Sequence, residues 1–441
     1  MLKGMTRFFD RLVQRYLPDP FLFATLLTLV VYGMGIVLTD SGPVQMMRHW
    51  GEGFWGLLEF AMQMVLVLVT GYVLASSRAF QTGLAAMARL ARTPPQAILL
   101  VTVVSAVASW INWGFGLVIG ALFARQIARV VADVDYRLLI ASAYSGFLLW
   151  HGGLAGSVPL TIATEGHFAA EQIGIVPTSE TIFSGFNLFI SISLLIVLPL
   201  LNRLMMNTYD HPYRIDAKLL QDESAVAKEE SETGQTPADR LENSRLISLA
   251  IGGLGMWFIV TTLIENRFEL NLNLVNLLFL SLGILFHQTP RHFLNSVREA
   301  VKNAGGIIIQ FPLYAGIMGM MVSSGLAEQM SLWFVSISNA FTYPLFAFIS
   351  AGIVNFFVPS GGGQWAVQAP VMLPAGLELG VDAAKTAMAV AWGDAWTNMI
   401  QPFWALPALA IAGLRARDIM GFCIVTLFVS GIIIACGLLL L

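Results

Sequence analysis

Between Phe21 and Leu441 the chain repeats apolar runs long enough to cross a lipid bilayer, which leaves few folds open to it. A helix rises about 1.5 Å per residue, so about 20 apolar residues traverse a hydrocarbon core about 30 Å thick. The runs fall at 21–38, 54–75, 97–124, 138–164, 182–206, 246–264, 272–287, 303–325, 341–379, 386–413 and 418–440. They read as an all-α polytopic membrane protein with about 9 full crossings and 2 re-entrant hairpins. Only 12% of the residues are charged, about half the globular norm, which agrees.

Segment 1–20 carries Lys3, Arg7, Arg11 and Arg15 at i, i+4 steps. It is expected to be an amphipathic helix on the inner membrane surface, a topogenic charge cluster being the simpler alternative. With no small-residue cleavage site, it does not read as a signal peptide. Cys423 and Cys436 both lie in the last run and suggest neither a disulfide framework nor a metal site. The net charge of −3 comes mainly from one acidic loop and identifies no partner; none of nucleic-acid type is expected. Segment 207–245, with "DESAVAKEESETGQTPADR", is too polar to pack a core and reads as a cytoplasmic linker between two halves.

Two runs cannot be unbroken helices. Run 97–124 is interrupted at "NWGFG" (112–116) and run 341–379 at "PSGGG" (359–363). Inside a helix glycine costs about 1 kcal/mol and proline about 3 kcal/mol relative to alanine. Charge supplies a second argument. Arg78, Arg89 and Arg92 precede the first of these runs, and Arg125, Arg129 and Arg137 follow its start. Basic loops belong on the cytoplasmic side, so 97–130 should enter and leave from one side. Arms of about 15 residues reach only about 22 Å, short of a full crossing. Segment 341–379 is flanked by no Lys or Arg except Lys385, so this hairpin should enter from outside.

The halves 21–206 and 269–441 match at an offset of about 248 residues, with the single span 246–264 between them. The first hairpin falls on the second, and the interrupted run 138–164 on 386–413. An inverted repeat with broken segments in corresponding places sets a substrate site near the bilayer midplane. Non-helical backbone survives at that depth only where it is buried in protein or lines a polar cavity. Helices that begin at a glycine tip offer unpaired N–H groups to an anion, and the carbonyls ending the other arm suit a cation.

The candidate substrate-binding residues are therefore Asn112, Trp113 and Gly114 at one tip, and Ser360, Gly361, Gly362, Gly363 and Gln364 at the other. His151, Gly152, Gly153 and Ser157 join them from "WHGGLAGSVPL", with Asn398 from "WGDAWTNMIQPFW". Asp394, Asn398, Gln401 and Asn355 are the ion-coupling candidates, Asp394, Asn398 and Gln401 sharing one helical face. Ionisable groups at membrane depth are costly and by default functional. The plainer account is that His151 and Asp394 only hydrogen-bond between helices, and that the glycines only permit close packing. No Lys or Arg stands at mid-membrane depth to clamp a dianion, which favours a single carboxylate. No Walker loop, HExxH or GxSxG pattern is present, so the energy source is an ion gradient or the flow is passive.

The stretches "NFFVPSGGGQWAVQAPVMLPA", "SWINWGFGLVIGA", "WHGGLAGSVPL" and "QFPLYAGIMGMM" resemble the bacterial short-chain fatty acid transporter family, of the acetoacetate and butyrate uptake type. The resemblance implies inner-membrane symport of a short monocarboxylate with H⁺ or Na⁺, no cofactor, and no metal beyond a transported Na⁺. It also implies kinship with a wider ion-transporter superfamily, whose members are commonly dimers with a moving transport domain. The N-terminus is then expected in the cytoplasm and the C-terminus in the periplasm. A passive channel, or an intramembrane enzyme using His151 and Asp394, are the competing readings.

Overall fold

The computed structural model describes residues 20–207, 212–215, 236–265, 269–302, 304–356, 358–400 and 404–441. The expected surface helix at 1–19, most of the linker 207–245 and the candidate Gln401 lie outside the described residues. Every regular element among the described residues is helical. Among the described residues seven segments are long and apolar enough to cross a membrane, and Ala24–Leu38, Leu272–His287 and Tyr343–Val354 are shorter apolar helices. This is a helical membrane protein.

The first hairpin is two 18-residue helices, Pro94–Ile111 and Trp113–Val130, joined through Asn112 alone. Each arm is longer than the 15 or so residues expected, about 27 Å at helical rise. Length alone therefore no longer argues for re-entry, and the expectation rests on charge. Its arms pack along each other. The second hairpin is Tyr343–Val354 and Gly361–Glu378. Here both arms pack on a third helix, Ala383–Thr397, and the second arm packs as closely on Leu326–Ile337 and Gly305–Ser323.

Both interrupted crossings are broken. Tyr136–Gly146 passes into a 3₁₀ turn, Phe147–Gly152, and resumes as the short helix Ser157–Ile162. The second runs Ala383–Thr397 and resumes at Ala405–Ala412. Prolines explain the restarts: Pro159 sits in the first turn of its helix, where the missing N–H costs nothing. The paired boundaries keep the expected offset, since Trp113 and Gly361 begin second arms and Ser157 and Ala405 begin the resumed halves.

Amphipathic helices outside the apolar runs connect them: Pro43–Gly53, Arg78–Ala88, Pro290–Val301 and Leu326–Ile337. After the linker, Thr236 caps Pro237–Glu242, and Arg291 bonds Asp239 at 2.6 Å and Glu242 at 3.0 Å. Arg245–Glu265 turns Leu246, Leu254, Trp257 and Phe258 outward, as a span facing lipid should. By contrast, 136–162 is almost wholly enclosed. The molecule's interior is thus built around its broken segments.

Candidate functional site

The two tips are made the same way. Asn112 (φ −158°, ψ 129°) and Ser360 (φ −156°, ψ 107°) are extended residues immediately before a helix. The Asn112 side-chain oxygen accepts the Phe115 N–H at 2.9 Å, and Ser360 Oγ accepts the Gly363 N–H at 3.3 Å. Each is an N-cap, a feature that stabilises a helix start by about 1 kcal/mol. One cap satisfies only part of the exposed amide set. The N–H groups of Gly361 and Gly362, like those of Trp113 and Gly114 at the first tip, have no acceptor among the described residues, an arrangement whose dipoles suit an anion.

Residues from both tips and from the first broken helix line one cavity: Trp113, Trp150, Ser157, Ser360, Gly361 and Gly362. Its volume is about 10 Å³, on the order of one water. Aromatic rings close it. Trp113 stands 6.0 Å from Trp150 and 5.4 Å from Trp404, between ring centroids. Gly361 has no room for a side chain, since a Cβ there would lie 2.6 Å from both Trp150 Cη2 and His151 Cε1. The tip therefore sits directly on the His151 ring.

His151 joins the cavity wall to a buried polar network. Its Nδ1 lies 3.1 Å from Asp394 Oδ2, both residues having 0% exposure. Val158 N–H donates to Nε2 at 3.2 Å. Asn355 Nδ2 donates to the Asp394 carbonyl at 2.9 Å, Thr397 Oγ1 at 3.0 Å and Asn398 Oδ1 at 2.9 Å. Tyr144 donates its hydroxyl to the Asn398 carbonyl at 2.7 Å. Asp394 thus lies on a helix held between the arms of the second hairpin.

The predicted candidates divide accordingly. Trp113, Ser157, Ser360, Gly361 and Gly362 meet at the cavity. His151, Asn355, Asp394 and Asn398 form the network behind it. Gln364 bonds the Ala351 carbonyl at 2.8 Å and Gln368 at 2.7 Å, within its own hairpin. Gly114, Gly152, Gly153 and Gly363 are close-packing positions, against Leu68, Trp392, Trp110 and Tyr314 respectively.

Sequence reasoning missed Phe60, Tyr144, Asn187 and Tyr314. Asn187 Nδ2 donates to the carbonyls of Gly152 at 3.0 Å and Ile182 at 2.7 Å, and its oxygen accepts the Trp392 Nε1 proton at 2.9 Å. It pins the 3₁₀ turn carrying His151 to the second broken helix. A lone amide in an apolar span is a signal that could have found it.

A second cavity of about 110 Å³ lies beside Glu59, Gln63, Glu165 and His167. Burial pushes His167 below the ordinary imidazole range, opposed by its hydrogen bond to the Gly174 carbonyl.

The family model described as "Short chain fatty acid transporter" matches residues 1–441. The chain belongs to that family. Two proteins named "Putative short-chain fatty acid transporter" are similar over 99% of this chain and 99% of their own length. The one from Escherichia coli K12 is 47% identical and the one from Haemophilus influenzae Rd is 44% identical. Among solved structures, the Alcanivorax borkumensis YdaH transporter, described as having an unusual topology, shares the fold. The TM-score is 0.58 at 14% identity, over 95% of this chain and 98% of that one.

Proposed function

We propose that this family member is a secondary active transporter of short-chain monocarboxylates such as butyrate or acetoacetate. It is driven by a proton or cation gradient and works by elevator-like alternating access. One observation carries the reading: a single cavity is lined by both hairpin tips and a broken helix, with free amide N–H groups at Gly361 and Gly362. The cavity has room for about one water, so this is a closed arrangement. Once the tips part, a helix end and the hydroxyls of Ser157 and Ser360 suit one carboxylate, and the surrounding tryptophans suit a short apolar tail.

The matching boundaries of tips and restarts support an inverted repeat, with hairpins entering from opposite faces. The small volume of the cavity favours an occluding carrier over an open passive channel. An enzyme reading finds no support, because among the described residues no serine, threonine or cysteine side chain hydrogen-bonds to the His151 ring or the Asp394 carboxylate. The homodimer, the inner-membrane location and the absence of a cofactor are carried over from the resemblance. A cytoplasmic N-terminus and a periplasmic C-terminus follow from the loop charges.

Uptake into liposomes tests the function. Purified protein should accumulate labelled acetoacetate only under an imposed proton or sodium gradient. Equilibration without concentration would leave a facilitator. Single cysteines at Arg89 and Arg129 should label from the same, cytoplasmic, side, and labelling from opposite sides would turn the first hairpin into two crossings.

A further inference from the structure

We propose that Asp394 Oδ1 is the atom that carries the coupling proton, with His151 as its neutral, fixed partner. This rests on the transport reading above and deepens it.

The tautomer of His151 follows from its neighbours. Val158 N–H points at Nε2 from 3.2 Å, so Nε2 presents a lone pair. The ring proton is then on Nδ1, where it is donated to Asp394 Oδ2 at 3.1 Å. A doubly protonated ring would set two N–H groups against each other at Nε2. His151 is therefore neutral while this contact holds. Both its nitrogens are engaged, so neither is free for a substrate carboxylate.

Asp394 is left to balance its own charge. It is wholly buried, and Oδ1 has no hydrogen-bond partner among the described residues. A bare carboxylate in such a place is far more costly than a neutral acid. The titratable groups near it are few. Tyr144 faces it from 136–146, and Cys423 approaches Tyr144 from the last helix. The helices 94–111, 157–162 and 343–354, which pack around the pair, contain no Lys, Arg, Asp, Glu or other His. Lys385 on the same helix, Arg137, Glu378, Arg203, Arg125 and Arg129 stand toward the far ends of their helices, and Arg417 and Asp418 lie in the first turn of 416–440. Within this enclosed arrangement, then, a proton on Oδ1 is what makes the pair uncharged.

Two further buried oxygens nearby, Asn355 Oδ1 and Gln364 Oε1, also lack donors and would be the natural ligands of a sodium ion. Neither they nor Asp394 line the tip cavity or the one beside His167. A proton needs no space.

Coupling follows from position. Gly361 covers the His151 ring, and the helix of Asp394 lies between the second hairpin's arms. Movement of that hairpin admits water to the pair. Asp394 then releases its proton to water and becomes a solvated carboxylate. Taking a proton up again restores the neutral pair and the closed arrangement. One proton moving with one monocarboxylate leaves the loaded carrier without net charge from the two together.

The test uses full-length protein in liposomes and acetoacetate, with protein-free liposomes as baseline for leakage of the neutral acid. Exchange of labelled for unlabelled acetoacetate reports transport, and accumulation under a pH gradient reports coupling. Wild type should accumulate with a pH gradient and not with a sodium gradient at clamped pH. Asp394→Asn should lower accumulation about tenfold or more beyond any loss of exchange. Sodium-driven accumulation, or pH-driven accumulation that survives in Asp394→Asn, overturns the proposal. Absence of exchange in wild type instead overturns the transport reading. Should Asp394→Asn fail to fold, infrared difference spectra of wild type between acid and alkaline pH decide. A buried protonated-carboxyl band that shifts in Asp394→Glu is expected, and no such band overturns the assignment.

Discussion

In the first hairpin the arms 94–111 and 113–130 lie along each other, whereas in the second the arms 343–354 and 361–378 embrace helix 383–397. The caps are alike, so the difference lies in what the glycines touch. A Cβ at Gly116 would run into the backbone of Ser109 on the opposite arm. A Cβ at Gly362 would meet only the ends of side chains, Phe60 Cζ at 2.6 Å and Met64 Sδ at 3.4 Å. Gly361 and Gly362 line the cavity, while Gly114 and Gly116 do not. The same sequence ingredient therefore packs arm against arm in one hairpin and lines the cavity in the other. Without a hydrophobic force between helices in lipid, close packing of this kind is what holds the first hairpin together.

Valine substitutions break the comparison most sharply. Gly116→Val should separate the arms at a cost of about 1–3 kcal/mol or more, visible as a lowered melting temperature and poor recovery of folded protein. Gly362→Val should fold, since Phe60 and Met64 can shift, yet lose about tenfold or more of its uptake by crowding the N–H groups at the tip. If Gly116→Val transports normally, or Gly362→Val is the one that fails to fold, the division of roles is wrong.

Alanine at the two caps gives a smaller and finer contrast. Asn112→Ala and Ser360→Ala should each lose about 1 kcal/mol of stability, read by thermal unfolding. Only Ser360→Ala should also raise KM, by a few-fold, because Ser360 lines the cavity and Asn112 does not. Equal KM changes in both would mean that the tips bind alike.

The smallest effect is one of pH. Phe60, which underlies Gly362, meets Phe168, next to His167, with ring centroids 5.9 Å apart and planes tilted by 58°. Because burial holds His167 below its ordinary range, the unfolded loop binds protons more readily than the folded one. The loop's stability is present above pH of about 6.5 and is lost as pH falls below it. The protection factors of amides in 163–176, referred to the intrinsic exchange rate at each pH, should therefore fall on acidification, while those in the first hairpin do not. His167→Gln should abolish that difference.

Much of this was legible in the residues, for physical reasons. Apolar runs of span length force helices, and 112–116 and 359–363 announced the tips. The breaks, however, fall at Asn112 and before Gly361, and the glycines Gly114, Gly116, Gly361, Gly362 and Gly363 lie in helices. The His151–Asp394 contact was open to inference only through the repeat, because 243 residues separate the two. What the residues did not reveal is which partner a glycine faces: Gly116 and Gly362 look the same in a string. Apolar periodicity also passed over the connecting helices such as 290–301, whose polar faces break the runs. Phe60 and Tyr314 read as ordinary span residues, since their importance comes from which tip glycine rests on them.

The central claim is that the tips and the first broken helix enclose one carboxylate. Cysteine at Ser360 or Ser157, labelled by a small thiol reagent with and without butyrate, tests this most directly. The account predicts that butyrate slows labelling at both positions and leaves labelling of a cysteine at Ser244, at the end of the polar linker, unchanged. Equal labelling rates with and without butyrate at both Ser360 and Ser157, in protein that still transports, would contradict it.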